Sequence, residues 1–412
     1  MDNKSLSQQL YFSKEAAAYL GITVQRLNKL IQDNKIIPLK KNSSGTVFHI
    51  DELNRRKEEQ SIFTEIKQGG RSSMFRFDSK EKIEALNYST LMNVLECTEH
   101  KLEPLFDDLG KKIKLYIPMD DRQVVGEYVD FFHVNYNFLL KAYKKAYDAF
   151  LTLRPNDEII KRGNIDYPSL LAKTKQAPRF LYIRGKKSLL YENRTVALVG
   201  SRQASQEAKR NTANLSVILG QNGITIVSGL AKGIDVAAHS AALEKGYNTI
   251  AVIGTNLNQY YPSENKATQQ EIEKKGLIIS QFSPASVTQR WFFPLRNGVM
   301  SGLSLATVIM EAGETSGALK QADYALKQDR QVLIPASALR MKNITWPRKY
   351  VGRGAKVVNG STEVLKYLAE NKIFRPDFYY SEEEKSLYDF TEESKQNKEM
   401  TDSEEWSKPV SL

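Results

Sequence analysis

From Val196 onward, short and almost unbroken apolar runs alternate with segments of helix length, a pattern that few folds accommodate. Val196-Ala197-Leu198-Val199 ends on Gly200-Ser201-Arg202 and is followed by a helical stretch through Leu219. Thr225-Ile226-Val227-Ser228-Gly229 leads into Leu230-Ala231-Lys232-Gly233 and a second helix through Leu243. The runs TIAVIG (249–254), LIIS (277–280), ATVIME (306–311) and VLIP (332–335) supply four more strands. Strands that are apolar along their whole length bury both faces, as those of a parallel sheet do. Connections of helix length join such strands in parallel. The expected fold is therefore α/β: a Rossmann-like, doubly wound parallel sheet over residues 161–370.

Ligands of open parallel sheets sit outside the carboxyl ends of the strands. Here four of those ends carry glycine: Gly200, Gly229, Gly254 and Gly313. Glycine lets the backbone turn sharply and brings N–H groups close to an anion, and the helix that follows adds a partial positive charge. Three cations, Arg202, Lys232 and Arg296, are expected in loops around the same crevice. The candidate phosphate contacts are Gly200, Ser201, Arg202, Ser228, Gly229, Lys232, Gly233, Arg296, Asn297, Ser316 and Gly317. Trp291, Phe292 and Phe293 precede Arg296 and offer a stacking platform for single-stranded bases. The plainer reading is that the cations are scattered over the surface and the aromatics are packed.

Residues 1–58 read as a separate small domain. Ser13 to Leu20 is a helix capped by serine and closed by Gly21. Thr23 opens a second helix with Val24, Leu27, Leu30 and Ile31 at helical spacing, and IIPLKK and TVFHI around Gly45 form a hairpin. Helix, turn, helix and wing is a DNA-binding arrangement. Glu15-Ala16-Ala17 and Leu20-Gly21 resemble the excisionase-type winged helix-turn-helix family. On that reading Gln25, Arg26, Asn28 and Lys29 face the major groove of a duplex, and Lys40 and Lys41 meet phosphate from the wing. A protein-contact domain with the same fold is the alternative. Residues 59–160, rich in Lys, Tyr and Phe, are expected to be a helical connector whose aromatics at 124–153 pack its core face.

The charge balance narrows the partners. The chain carries a net +11, and the stretch from Tyr379 to Leu412 holds four lysines and ten acids. That stretch, inside a tail expected to be disordered over 371–412, thus has −6 and leaves +17 on the residues before Tyr379, a balance suited to a polyanion. A single cysteine, Cys97, excludes an internal disulfide and a multi-cysteine zinc site, and the four histidines lie far apart. No metal and no cofactor are expected. The absence of a long apolar run and of a signal-peptide core points to a cytoplasmic protein without a membrane partner.

No G-x-S-x-G elbow or P-loop is present, so no catalytic residue is assigned. His239 is read as a packed or capping histidine, Asp235 as a helix-dipole partner, and Glu311 as the one carboxylate to examine for acid–base work.

Residues 167–367 resemble the DNA-processing DprA/Smf family. The resemblance rests on Tyr167-Pro168, Leu181-Tyr182-Ile183-Arg184-Gly185 and the run Val196 to Arg202. It continues through Val227 to Asp235, Tyr261-Pro262-Ser263-Glu264-Asn265, Phe293-Pro294 with Arg296-Asn297, and Ser316-Gly317. It implies a non-catalytic, dimeric, single-stranded-DNA-binding protein of DNA uptake and recombination, with RecA as a candidate partner. Arg202, Lys232 and Arg296 take the positions where that family presents cations to phosphate. This chain departs from the family pattern at Gly298, Ala336 and Asn256, and the usual C-terminal winged helix is expected to stop short after Ser381–Lys385. A variant serving a mobile element or a defence locus is one reading of these departures. Two further readings are a nucleotide-sensing or nucleotide-processing Rossmann protein, and a duplex-binding regulator led by the helix-turn-helix. The glycine-rich signature of nucleotide-processing relatives is absent from Glu311–Gly317.

Overall fold

A computed structural model describes residues 10–32, 36–42, 45–54, 56–57, 75–341 and 344–371. The acidic tail beyond Asn371 lies outside the described residues. The chain divides into two compact units, one up to Ser73 and one from Met74.

In the first unit, β1 (Leu10–Phe12) precedes α1 (Ser13–Tyr19) and α2 (Val24–Gln32), and β2 (Lys40–Asn42) and β3 (Gly45–His49) close an antiparallel sheet of order β1-β3-β2. Ser13 is the first helical residue rather than the cap, and the Phe12 N–H donates to the Glu15 carboxylate at 2.9 Å. Gly21, at φ +66°, makes the turn between the helices in the left-handed region. Thr23 Oγ1 accepts from the Arg26 N–H at 3.2 Å and so starts α2. Ala16, Ala17, Leu20, Leu27, Leu30, Ile36, Phe48 and Leu53 form the core.

The second unit opens with four helices: α3 (Lys80–Val94), α4 (Glu99–Leu109), α5 (Val125–Phe132) and α6 (Tyr136–Phe150). Two strands follow, β4 (Glu158–Lys161) and β5 (Phe180–Gly185). The alternating part then runs β6 (Thr195–Gly200), α7 (Gln206–Gln221), β7 (Thr225–Ser228), α8 (Ile234–Glu244), β8 (Thr249–Val252), α9 (Lys266–Lys275) and β9 (Leu277–Ser280). It continues as α10 (Phe292–Gly302), β10 (Ala306–Glu311), α11 (Gly317–Lys327), β11 (Gln331–Pro335), α12 (Ala336–Arg340), α13 (Trp346–Val351), β12 (Lys356–Val358) and α14 (Gly360–Glu370).

The nine strands are ordered β12-β11-β10-β6-β7-β8-β9-β5-β4. Seven run parallel, while β5 pairs antiparallel with both β9 and β4. Residues of alternate parity face opposite layers. Ala197, Val199 and Val227 pack with Val299, Met300 and Ala322 of α10 and α11. Val196, Leu198 and Ile226 pack with Leu215, Ala238 and Val364 of α7, α8 and α14. This is a doubly wound sheet, and every strand expected from sequence is present.

The region read as a connector is built onto the same sheet. Leu86, Phe106, Tyr128, Leu139 and Phe150 of α3–α6 share one core with Phe180, Tyr182, Ala251 and Ile278. The aromatics of α5 and α6 do pack inward, but the boundary expected at residue 160 falls inside β4. Polar bonds fix the seam as well. Arg179, 7% exposed, donates to Glu84 at 3.0 Å, Glu103 at 2.9 Å and Asp107 at 2.7 Å, and lies over the rings of Tyr88 and Phe106. Arg184 clamps the Asp157 carboxylate with two bonds of 2.7 and 2.6 Å.

Candidate nucleic-acid interface at the carboxyl edge of the sheet

The chain leaves β6 in one direction through β7, β8 and β9, then returns to place β10 on the other side of β6. That reversal is a topological switch point, where the connections diverge and leave a crevice. At its floor the Ser201 N–H donates to the Glu311 carbonyl at 2.7 Å. A Cβ on Gly200 would stand 2.8 Å from the same oxygen, so only glycine lets β6 and β10 end this close together. Gly233, at φ +80°, lies against the Ser201 carbonyl, and the Ile234 N–H donates to that oxygen at 3.3 Å. The turn after β6 and the start of α8 are thereby held as one piece.

Above this floor sits a group of rings and cations. Arg202 is exposed, with its guanidinium 5.9 Å from the centre of the Phe293 ring. Tyr261, 50% exposed, meets the same ring at 5.1 Å. Gly254 makes room for it, since a Cβ there would lie 2.5 Å from Phe293 Cδ1. Trp291 is 45% exposed beside them, and Lys266 lies 5.2 Å over Tyr260. Lys232 is exposed and pairs with Glu264 at 2.5 Å, a contact that holds the Glu264 carboxyl below its ordinary range. Both partners face solvent, so the pair adds little stability.

Three expected contacts are placed differently. Arg296 is not in a loop: it lies on α10, 5% exposed, and its Nη1 donates to the carbonyls of Gly229 and Val252. Burial pushes its pKa down to about 10, opposed by the Asp235 carboxylate. Asp235 is buried in turn: desolvation raises its carboxyl against the opposing charge of Arg296, and it accepts from the Ala231 N–H at 3.3 Å. Arg296 therefore ties the ends of β7 and β8 together from below. Phe292–Arg296–Val299–Met300 follows helical spacing, a signal that puts Arg296 on the apolar face of α10. Ser228 is fully buried and spends its hydroxyl on the Leu198 carbonyl at 2.6 Å, and Asn297 is buried with its amide on the Gly317 carbonyl at 3.3 Å. Of the three aromatics, Phe292 is packed flat on Phe282 at 3.8 Å, Trp291 stands edge-on to Phe292, and Phe293 meets Tyr261.

The remaining residues keep to the edge. Gly229 is buried directly above Arg296, and Ser316 caps α11 by accepting from the Ala318 N–H at 3.3 Å, with Gly317 exposed beside it. Glu311 accepts from the Ser205 N–H at 3.0 Å and its hydroxyl at 2.7 Å, and Ser205 Oγ accepts from the Ala208 N–H at 3.1 Å to cap α7. His239 is fully buried, bonded to Thr249 Oγ1 at 2.7 Å, and burial pushes its pKa down to about 3. A permanently neutral histidine has no proton to trade near pH 7. In the first unit, Gln25, Arg26, Asn28 and Lys29 are exposed on α2 while Leu27 and Leu30 are buried, and Lys40 and Lys41 are exposed on β2. Among the described residues no cluster of His, Cys, Asp and Glu could hold a metal ion, and no helix is long and apolar enough to cross a membrane.

Fold and topology together define a Rossmann-like protein with a topological switch point at the carboxyl edge of its sheet. The family is given by comparison. A model described as DNA recombination-mediator protein A matches residues 158–369, and this chain belongs to that family. DNA processing protein DprA of Streptococcus pneumoniae is 39% identical over 201 residues, covering 48% of this chain and 70% of that relative. Protein Smf of Synechocystis is 35% identical over 216 residues, covering 52% of this chain and 54% of the relative. The X-ray structure of the pneumococcal DprA aligns over 69% of this chain and 95% of its own, at 28% identity and a TM-score of 0.53.

Proposed function

We propose that this chain binds single-stranded DNA along the carboxyl edge of its sheet and acts, without cutting the strand, as a mediator in DNA uptake or recombination. The observation that carries the reading is the meeting of the Arg202 guanidinium, the Tyr261 ring and the Phe293 ring above the glycine turns of Gly200 and Gly254. Bases stack on exposed rings whatever their sequence, and adjoining cations neutralise the phosphates. Arg202 and Lys232 are the phosphate contacts, with N–H groups around Gly200-Ser201, Gly229–Gly233 and Ser316-Gly317 as further donors. Arg296, Ser228 and Asn297 position these turns from beneath. The net +11 of the chain supports the same choice of partner. Activity in the cytoplasm, as a homodimer and with RecA as a partner, follows from the family resemblance and belongs to the same proposal. So does a variant role in a mobile element or defence locus.

The first unit supports an added duplex contact through Gln25, Arg26, Asn28, Lys29, Lys40 and Lys41, because α2 turns its polar face outward over an apolar core. Competition between labelled oligo-dT and unlabelled duplex tests both points. Phe293→Ala should weaken oligo-dT binding about tenfold, since stacking of one base is worth about 1–3 kcal/mol. Arg26→Ala with Lys29→Ala should weaken only the duplex. Unchanged oligo-dT affinity in Phe293→Ala would remove the stacking surface from the proposal.

A further inference from the structure

One side of α6 is buried through Leu139, Tyr143, Ala146 and Phe150. The opposite side carries Phe138, Lys141, Lys144 and Lys145, all exposed, and Phe138 keeps 54% of its surface in solvent. Phe138, Lys141 and Lys145 follow at intervals of three and four residues, so they share one ridge about 10 Å long. Asp148 is the one acid of this helix and stands four residues after Lys144. Yet among the described residues none of the three lysines pairs with a carboxylate. Lys275 of α9, at the same spacing from Glu271, does pair with it at 2.7 Å. A fourth cation comes from Arg76, which is exposed next to Phe77, whose ring stacks on Tyr147 of α6 at 5.0 Å.

The end of this helix is tied to the carboxyl edge of the sheet. Thr152 Oγ1, just past α6, accepts from the Asn258 amide at 2.7 Å, and the Arg154 guanidinium donates to the Tyr260 hydroxyl at 3.1 Å. Tyr260 carries Lys266 over its ring and directly precedes Tyr261, which meets Phe293 beside Arg202. Cations and rings thus follow one another from Arg202 through Tyr261, Lys266 and Arg154 to Lys145 and Phe138. We propose that a single strand held at the edge continues past Tyr260 onto α6, where Phe138 stacks a base and Lys141, Lys144 and Lys145 meet its phosphates. This continuation rests on the single-strand reading of the edge. Lysines alone would suit any polyanion, an acidic protein included. The exposed ring on the same ridge favours nucleic acid, and a single strand over a duplex, whose bases already stack on one another.

Anisotropy with oligo-dT of two lengths tests the path in full-length protein: about 6 nucleotides, enough for one small site, and about 20, which outruns it. Lys141→Ala, Lys144→Ala, Lys145→Ala should weaken the long oligonucleotide at least about tenfold at low salt. Its slope of log K against log salt should fall by about 2, or about 0.7 for each lost phosphate contact. Phe138→Ala should weaken the long oligonucleotide about fivefold, as for one lost base stack. Both variants should leave the short one unchanged, and arginine at the three lysine positions should keep the long one at wild-type affinity. All four side chains are exposed, so urea unfolding should match wild type. Unchanged affinity for the long oligonucleotide in either variant, or equal loss at both lengths, would overturn the proposal. So would displacement of the long oligonucleotide by poly-glutamate of matched charge as effectively as by unlabelled oligo-dT, the mark of an acidic protein partner. The edge is read separately, since Arg202→Ala, Lys232→Ala should weaken both lengths. No loss at either length in that variant would overturn the edge reading, whatever the α6 variants do. Loss at both lengths there, with the α6 variants silent, would overturn the continuation alone.

Discussion

Two groups of arginines in this molecule carry the same side chain and do opposite work. Arg179 and Arg184 lie at the seam between the helices α3–α6 and the sheet, 7% and 5% exposed, each closed in by carboxylates. Arg202, at the carboxyl edge of β6, stands exposed above a ring, and among the described residues no carboxylate pairs with it. Burial and partners, not residue type, decide whether a cation holds the fold together or is available to a polyanion. Arg296 shows how close the two cases come. It lies under the same edge as Arg202, yet it is locked onto the carbonyls of Gly229 and Val252.

The largest expected effect tests the seam. Arg179→Ala removes the partner of Glu84, Glu103 and Asp107, and should cost about 3–5 kcal/mol in urea unfolding, as for a broken buried pair. A loss below about 1 kcal/mol would show that the network is not structural. Arg296→Met leaves the buried carbonyls of Gly229 and Val252 without their donor and should cost about 2 kcal/mol. Arg202→Ala should move stability by no more than about 0.5 kcal/mol, the usual range for a surface change. If Arg296→Met kept full stability while losing DNA affinity as Arg202→Ala does, Arg296 would be a contact and not a support. Gly233→Ala places a side chain at φ +80° against the Ser201 carbonyl and should cost about 2 kcal/mol.

A further effect concerns pH. His239 has an ordinary pKa of 6.5 that burial lowers to about 3 in the folded protein. Its contribution is fully present above pH 6.5 and is lost as pH falls toward 3, because the unfolded chain takes up a proton that the folded one refuses. The slope is at most about 1.4 kcal/mol per pH unit. Denaturation of wild type and His239→Gln from pH 7.5 to 5 should show the variant losing less stability over that interval. Parallel curves would mean that His239 is reached by protons in the fold.

Much of this was legible in the sequence for physical reasons. Val196–Val199, Ile226-Val227 and Ile278-Ile279 are apolar at consecutive positions because both faces of their strands are covered. Gly200 and Gly233 mark turns where two pieces of backbone meet. Arg202 follows the first of these and Lys232 directly precedes the second, and both are exposed. Less could be read where a side chain's role depends on distant partners. Arg179 meets Glu84 across 95 residues, so nothing local marks α3–α6 as part of the sheet's core. Arg296 is hard to place from sequence because three consecutive aromatics, Trp291–Phe293, suit a loop as well as a helix start. The helical spacing from Phe292 to Met300 was the overlooked signal.

The most direct test of the central claim is anisotropy of labelled oligo-dT across a salt series, comparing wild type with Arg202→Ala, Lys232→Ala. The expected result is at least about tenfold weaker binding at low salt, with the slope of log K against log salt reduced by about 1.4, or about 0.7 for each lost phosphate contact. Unaltered affinity and slope in a variant of wild-type stability would contradict it, and would remove the DNA site from the carboxyl edge of the sheet.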